Sequence, residues 1–114
     1  MEYIKINYDE TKPLYEVVEL PKDTEGFLDA CYKHLHCGCI EVVPTVLRGI
    51  YLIIDESGKL KDGWQSRINK EASKLYGSWW DTIVGDAILA KVRRSDLVPL
   101  TLEEFDSVLH YCES

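Results

Sequence analysis

Basic charge is scarce in this sequence. Thirteen lysines and arginines stand against 20 aspartates and glutamates, a formal net charge of −7. That balance repels phosphate backbones and anionic lipid headgroups, so neither nucleic acid nor a membrane surface is an expected partner. Long hydrophobic runs are missing too, and none approaches the ~20 apolar residues that a membrane span needs. Gly58, Gly63, Gly77 and Gly85 are dispersed and form no phosphate-cradling loop. Met1-Glu2-Tyr3-Ile4-Lys5 has no basic region leading into an apolar stretch and no cleavage site, so the expectation is a cytoplasmic protein. No nucleophile, base and orienting group fall into a recognised catalytic motif, so no enzyme is expected and no cofactor is implied.

Cysteine is present but sparse: Cys31, Cys37, Cys39 and Cys112. In a cytosolic chain these are buried thiols more often than bridges, and Cys37 and Cys39 sit too close in sequence for a comfortable disulfide. The segment His34-Leu35-His36-Cys37-Gly38-Cys39 concentrates metal-ligating residue types. Structural zinc sites, however, space their ligands as separated pairs. On a helix, His34 and His36 also point about 200° apart. The expected reading is an exposed helix end with buried thiols and no metal.

What the chain does have is enough apolar residue for one core. At 114 residues and 46% hydrophobic content, a single domain burying roughly two-thirds of its unfolded surface is the expectation. Tyr3 to Tyr8 alternates as a strand, Asp9 to Pro13 turns, and Leu14 to Leu20 returns as the second arm of a hairpin. Thr24 is the expected N-cap of a helix over 24–36, with Phe27, Leu28, Cys31, Tyr32 and Leu35 as its apolar stripe and Gly38 as its stop. Cys39 to Val43 and Ile50 to Ile54 read as strands, the second central. Gly58 is expected to supply positive φ in the following turn. A short helix is expected within 67–76, and a long strand over 82–92 with a bulge or close approach at Gly85. Thr101-Leu102-Glu103-Glu104 is a capping box, with Leu100 and Phe105 at the staple positions of a last helix. The fold class is α+β: a mostly antiparallel sheet of about five strands with two to three helices packed on one face.

Four segments together resemble a known family. They are Gly38-Cys39-Ile40-Glu41-Val42-Val43-Pro44, Asp55-Glu56-Ser57-Gly58-Lys59-Leu60 followed by Asn69 and Ala72, Ile83-Val84-Gly85-Asp86-Ala87-Ile88-Leu89, and Leu100-Thr101-Leu102-Glu103-Glu104. In this order they resemble a small uncharacterised domain family of bacteriophages, plasmids and other mobile elements. Cys39 stands where that pattern has an aromatic residue, and Tyr76 to Asp81 looks like an added aromatic loop. The resemblance implies a phage or mobile-element setting in a bacterial cytoplasm and carries no activity.

The candidate site comes from side-chain chemistry. Trp64, Gln65, Arg67 and Asn69, followed by Trp79 and Trp80, gather indole rings, amides and a guanidinium between two strands. Such a set can stack a base, read its edge and pair a phosphate; equally, the rings could cover the core under an irregular loop. Glu41, which interrupts an apolar strand, and Glu56, beside Asp55 at a strand end, could accept from ribose hydroxyls or base amino groups. The bland alternatives are a solvated Glu41 and a turn built by Asp55 and Glu56. The resulting expectation is non-catalytic binding of a small nucleotide-like ligand, in a phage setting a host immune signal held out of reach. The rival is an acidic inhibitor docked on a host defence or replication protein, with binding governed by charge and little affected by Trp64 or Trp80. A third reading is a small enzyme acting on a nucleotide. Limited depth for a pocket in so short a chain argues for a homo-oligomer.

Overall fold

The computed structural model describes residues 1–113. Its central feature is a six-stranded antiparallel sheet formed by β1 (Glu2–Ile6), β2 (Tyr15–Glu19), β3 (Ile40–Pro44), β4 (Ile50–Asp55), β7 (Ala87–Arg93) and β8 (Asp96–Val98). The spatial order is β2-β1-β7-β4-β3. Lys91 of β7 pairs with Ile50 of β4 on one side and Val98 of β8 on the other, so β8 extends the β1 side of β7. A two-stranded ladder, β5 (Ile68–Asn69) with β6 (Ile83–Val84), lies outside this sheet. Three α-helices are present among the described residues: α1 (Thr24–Leu35), α2 (Lys70–Tyr76) and α3 (Leu102–Glu113).

The α+β class and the antiparallel sheet agree with the sequence pattern. The helices, expected on one face, divide between both. Leu52, Ile54 and Leu89 face Ala72, Leu75, Val108 and Cys112 of α2 and α3, whereas Ile53, Ile88 and Ala90 face Cys31 and Leu35 of α1. Alternate residues of a strand point to opposite faces. A strand such as Ile50-Tyr51-Leu52-Ile53-Ile54 is apolar at both parities, so each face needs a cover.

Local signals hold with shifts that have physical causes. Asp23, not Thr24, caps α1, its carboxylate accepting from the Gly26 N–H at 2.8 Å. The helix stops at His36, which takes the left-handed conformation (φ 53°) two residues before Gly38; histidine is among the few non-glycine residues that tolerate it. Gly58 does not have positive φ; a Cβ there would sit 3.3 Å from the Val84 carbonyl oxygen, so close approach is what calls for glycine. The capping box forms as expected: Thr101 N–H donates to Glu104 Oε1 at 2.7 Å and Glu104 N–H to Thr101 Oγ1 at 3.2 Å.

The long strand expected over 82–92 is two strands. Gly85, at φ 85°, turns the chain between them, and its N–H donates to the Arg67 carbonyl at 2.7 Å. The chain thereby leaves the small ladder at Val84 and enters the main sheet at Ala87. Asn69 fastens the two layers together. Its Nδ2 donates to the Ile6 and Gly85 carbonyls, both at 2.9 Å, and its Oδ1 accepts the Ala72 N–H at 3.0 Å as the N-cap of α2.

Asn69→Ala removes an N-cap and the amide bonds to the Ile6 and Gly85 carbonyls at a fully buried position, so it should cost about 3 kcal/mol, read as a lower urea midpoint with unchanged slope. The Glu104 carboxyl lies below its ordinary range, first through the Thr101 backbone N–H and also through Lys91. Its stabilisation is therefore complete above the unfolded carboxylate pKa and disappears as pH falls through the lower folded value. Chemical denaturation from pH 6 down to pH 2 should show a loss that Glu104→Gln reduces.

Candidate functional site

An acid-lined cleft opens where β3 and β4 meet the segment leading into β6. It is lined by Glu41 and Val43 of β3, Ile54 and Asp55 of β4, the turn residues Glu56, Gly58 and Lys59, Tyr76 at the end of α2, and residues 81–84, and it encloses about 150 Å³. Strand parity places Glu41 here: it shares a face with Val43, whose side chain enters the core beneath α2 and α3. Asp55 is buried, accepts the Ser57 N–H at 2.9 Å and pairs with Lys61 Nζ at 2.7 Å. Lys59 pairs with Asp81. Glu41 and Glu56 are exposed and have no such cation beside them in the cleft, leaving an excess of negative charge at its mouth.

Trp79 and Trp80 directly precede Asp81. They are 89% and 73% exposed and stack edge to face on each other, with ring centroids 5.5 Å apart at 85°. Neither ring is used by the core. Two neighbouring tryptophans left in solvent form an apolar surface of the kind that binding converts into buried area.

The other nominated residues do not converge here. Asn69 is fully buried and its amide is saturated by the backbone bonds described above. Trp64 is half-buried in a 3-10 turn, Trp64–Arg67. Arg67 bends back toward the Asp62 carbonyl, with both terminal nitrogens 3.4 Å away. Gln65 is exposed and lines a separate cleft with Tyr8, Ser66 and Lys70. That cleft continues into one of about 270 Å³ lined by Asn7, Tyr8, Lys12, Asn69 and Lys70, among others. Of the nominated residues, Glu41 and Glu56 line the first cleft, Asn69 and Gln65 line the second, and Trp64, Arg67, Trp79 and Trp80 line neither, the indole pair adjoining the first only through its neighbour Asp81. Sequence reasoning did not place Lys59, Tyr76 or Asp81 in a site; they reach the cleft only because α2 and β6 fold against the end of β4. A further apolar groove of about 460 Å³, lined by Tyr3, Phe27, Leu28, Ile40 and Leu97, contains none of the nominated residues.

The His34–Cys39 segment is spread over the end of α1 and its exit. No three His, Cys, Asp or Glu side chains among the described residues are grouped as a metal ion requires. All four cysteines are free thiols. Burial pushes the Cys31 thiol up to about 11, with a further contribution from Cys37, and burial also raises Cys37 and Cys112.

A small α+β domain with an acidic cleft beside an exposed indole pair is the class that fold and site define, and no helix among the described residues is long and apolar enough to cross a membrane. Residues 4–113 match the model of a family described as Domain of unknown function (DUF3846), and the chain belongs to that family. Neither the curated proteins nor the solved structures provide a significant match.

The thiols differ enough to be told apart chemically. Cys39 is exposed and should be alkylated within minutes at pH 8. Cys31 and Cys112 are buried with raised thiol pKa values, so they should react only after unfolding, because the thiolate is the nucleophile. Mass spectrometry of the timed reaction checks the order.

Proposed function

We propose that this DUF3846 chain is a binding module that docks a basic segment of a partner protein, with Trp79 and Trp80 as anchors and the acidic cleft as the seat for a lysine or arginine. The observation that carries this reading is the pair of exposed indoles immediately before Asp81 at a cleft whose carboxylates outnumber its one lysine. Tryptophan is the residue type most often dominant in protein interfaces. A cation can lie over its ring face while a carboxylate holds the ammonium or guanidinium. Phosphate fits this cleft poorly, since four carboxylates repel it and Lys59 is already engaged by Asp81. In the mobile-element setting that the resemblance implies, the partner would be a host defence or replication protein.

A second reading, sequestration of a small nucleotide-like ligand, is supported at the other cleft. Lys12 and Lys70 line it together with Asp9, Glu10 and Glu71, and Lys70 pairs with Glu10 at the exposed rim; Lys12, and Lys70 once released from Glu10, could meet phosphate, Tyr8 could stack, and Gln65 could read a base edge. Asn7 also lines it, and its buried Oδ1 has no hydrogen-bond partner.

One experiment addresses both. The protein is titrated with an arginine- and lysine-rich peptide, and separately with cyclic and linear nucleotides, by calorimetry and tryptophan fluorescence. The peptide should bind with quenching of tryptophan emission, and affinity should fall as salt rises from 50 to 500 mM. Trp80→Ala should weaken it about 30-fold, the scale of a ~2 kcal/mol hot spot, and Glu41→Gln with Glu56→Gln by a smaller factor. Peptide affinity indifferent to Trp80 and to both glutamates would rule out the first reading. Nucleotide binding lost in Lys70→Gln and kept in Trp80→Ala would establish the second in its place.

A further inference from the structure

We propose that β2 is an interface edge at which a second copy of this chain pairs about a two-fold axis through Val17, joining the two sheets into one. This is independent of what either cleft binds. In the β1–β2 ladder the bracketing bonds run from the Asn7 N–H to the Leu14 carbonyl and from the Leu20 N–H to the Met1 carbonyl. Bonded pairs alternate along an antiparallel ladder. Glu16 and Val18 therefore bond to β1, and Tyr15, Val17 and Glu19 direct their N–H and C=O groups away from it. No strand among the described residues takes that side.

Free edges usually carry a device that prevents pairing: a proline, charged side chains, a bulge, a very short strand or a covering loop. The opposite edge has one. On β3 the bonds from the Glu56 N–H to the Cys39 carbonyl and from the Thr45 N–H to the Ile50 carbonyl leave Ile40, Val42 and Pro44 facing outward, and Pro44 has no N–H to give. β2 contains no proline within it; its two exposed carboxylates, Glu16 and Glu19, stand on either side of the centre, where Val17 is 58% exposed.

The sequence of β2 matches itself in this register. Pro13 and Pro21 lie at equal distances from Val17, so the run of outward N–H groups ends symmetrically on both sides. With Val17 on the axis, Tyr15 of each copy stands opposite Glu19 of the other, Glu16 stands opposite Val18, and Val17 meets Val17. No carboxylate opposes a carboxylate, and the exposed valine gains a β-branched cross-strand neighbour. A self-complementary patch of this kind is what a closed two-fold dimer requires, whereas a foreign strand would have to reproduce the match.

Sedimentation equilibrium on the full chain should give twice the 13.1 kDa monomer mass. Val17→Pro, which removes only an outward N–H, and Val17→Lys, which sets two ammonium groups on the axis, should each raise the dimer Kd at least tenfold while the far-ultraviolet spectrum stays that of the wild type. If the proline variant does not fold, Val17→Lys and hydrogen exchange decide. In the wild type the Tyr15, Val17 and Glu19 amides should become protected with rising protein concentration, while Val18 is protected throughout. A monomer at millimolar concentration, a dimer undisturbed by Val17→Lys, or rapid exchange of those three amides in the dimer would each overturn the proposal.

Discussion

The saturated amide of Asn69 is the joint on which the arrangement depends. One side chain holds the end of β1, the Gly85 turn and the first turn of α2 in register. The Ala72 N–H and the Gly85 carbonyl take this amide as their partner, and the Ile6 carbonyl takes it in addition to its place in the β1–β7 ladder; leaving such backbone groups unpaired costs more than a hydrogen bond contributes. Because the node fixes β5, it fixes β6 beside it, and β6 forms one wall of the acidic cleft. Contacts in the second layer reinforce the same placement: the Tyr15 hydroxyl donates to Glu71 Oε2 at 2.6 Å, and Lys74 Nζ donates to the Cys112 carbonyl at 2.7 Å.

The cleft's chemistry is a consequence of that placement. Carboxylates far apart in sequence, Glu41, Asp55, Glu56 and Asp81, arrive in one concavity while the available lysines are taken up by Asp55 and Asp81. The resulting local field has the sign of the whole chain, and it selects against phosphate and for cations. Beside it, Trp79 and Trp80 remain in solvent because Gly77 ends α2 in a left-handed conformation and the chain departs before the rings could reach the core. A Cβ at Gly77 would overlap a Val46 methyl carbon, so glycine is required there by both backbone and space.

Much of the fold was legible in the order of residues, and the reasons are local. The hairpin of β1 and β2, the apolar stripe of α1, and the Thr101–Glu104 capping box each depend on neighbours within one turn or one strand pair. The site was less legible. Asn69 has the same composition signature as a base-reading amide, and only its burial reveals it as a cap. Arg67, next to it in a polar loop, bends toward a nearby carbonyl instead of toward a cleft. Glu41 and Glu56 were recognisable as carboxylates interrupting or ending apolar strands, because a charge in such a run needs a reason.

By itself the sequence determined the class of the protein, its acidic character and the type of most elements, since strand alternation, helix stripes and caps are written in residues close together. The tertiary structure alone decided that the helices cover both faces and that the predicted long strand divides at Gly85. It also decided that the nominated ligand residues do not converge on one cleft. Those outcomes turn on which distant segments pack together, and packing between segments is settled by burial and by the pairing of backbone groups across the whole fold, not by any short stretch of chain.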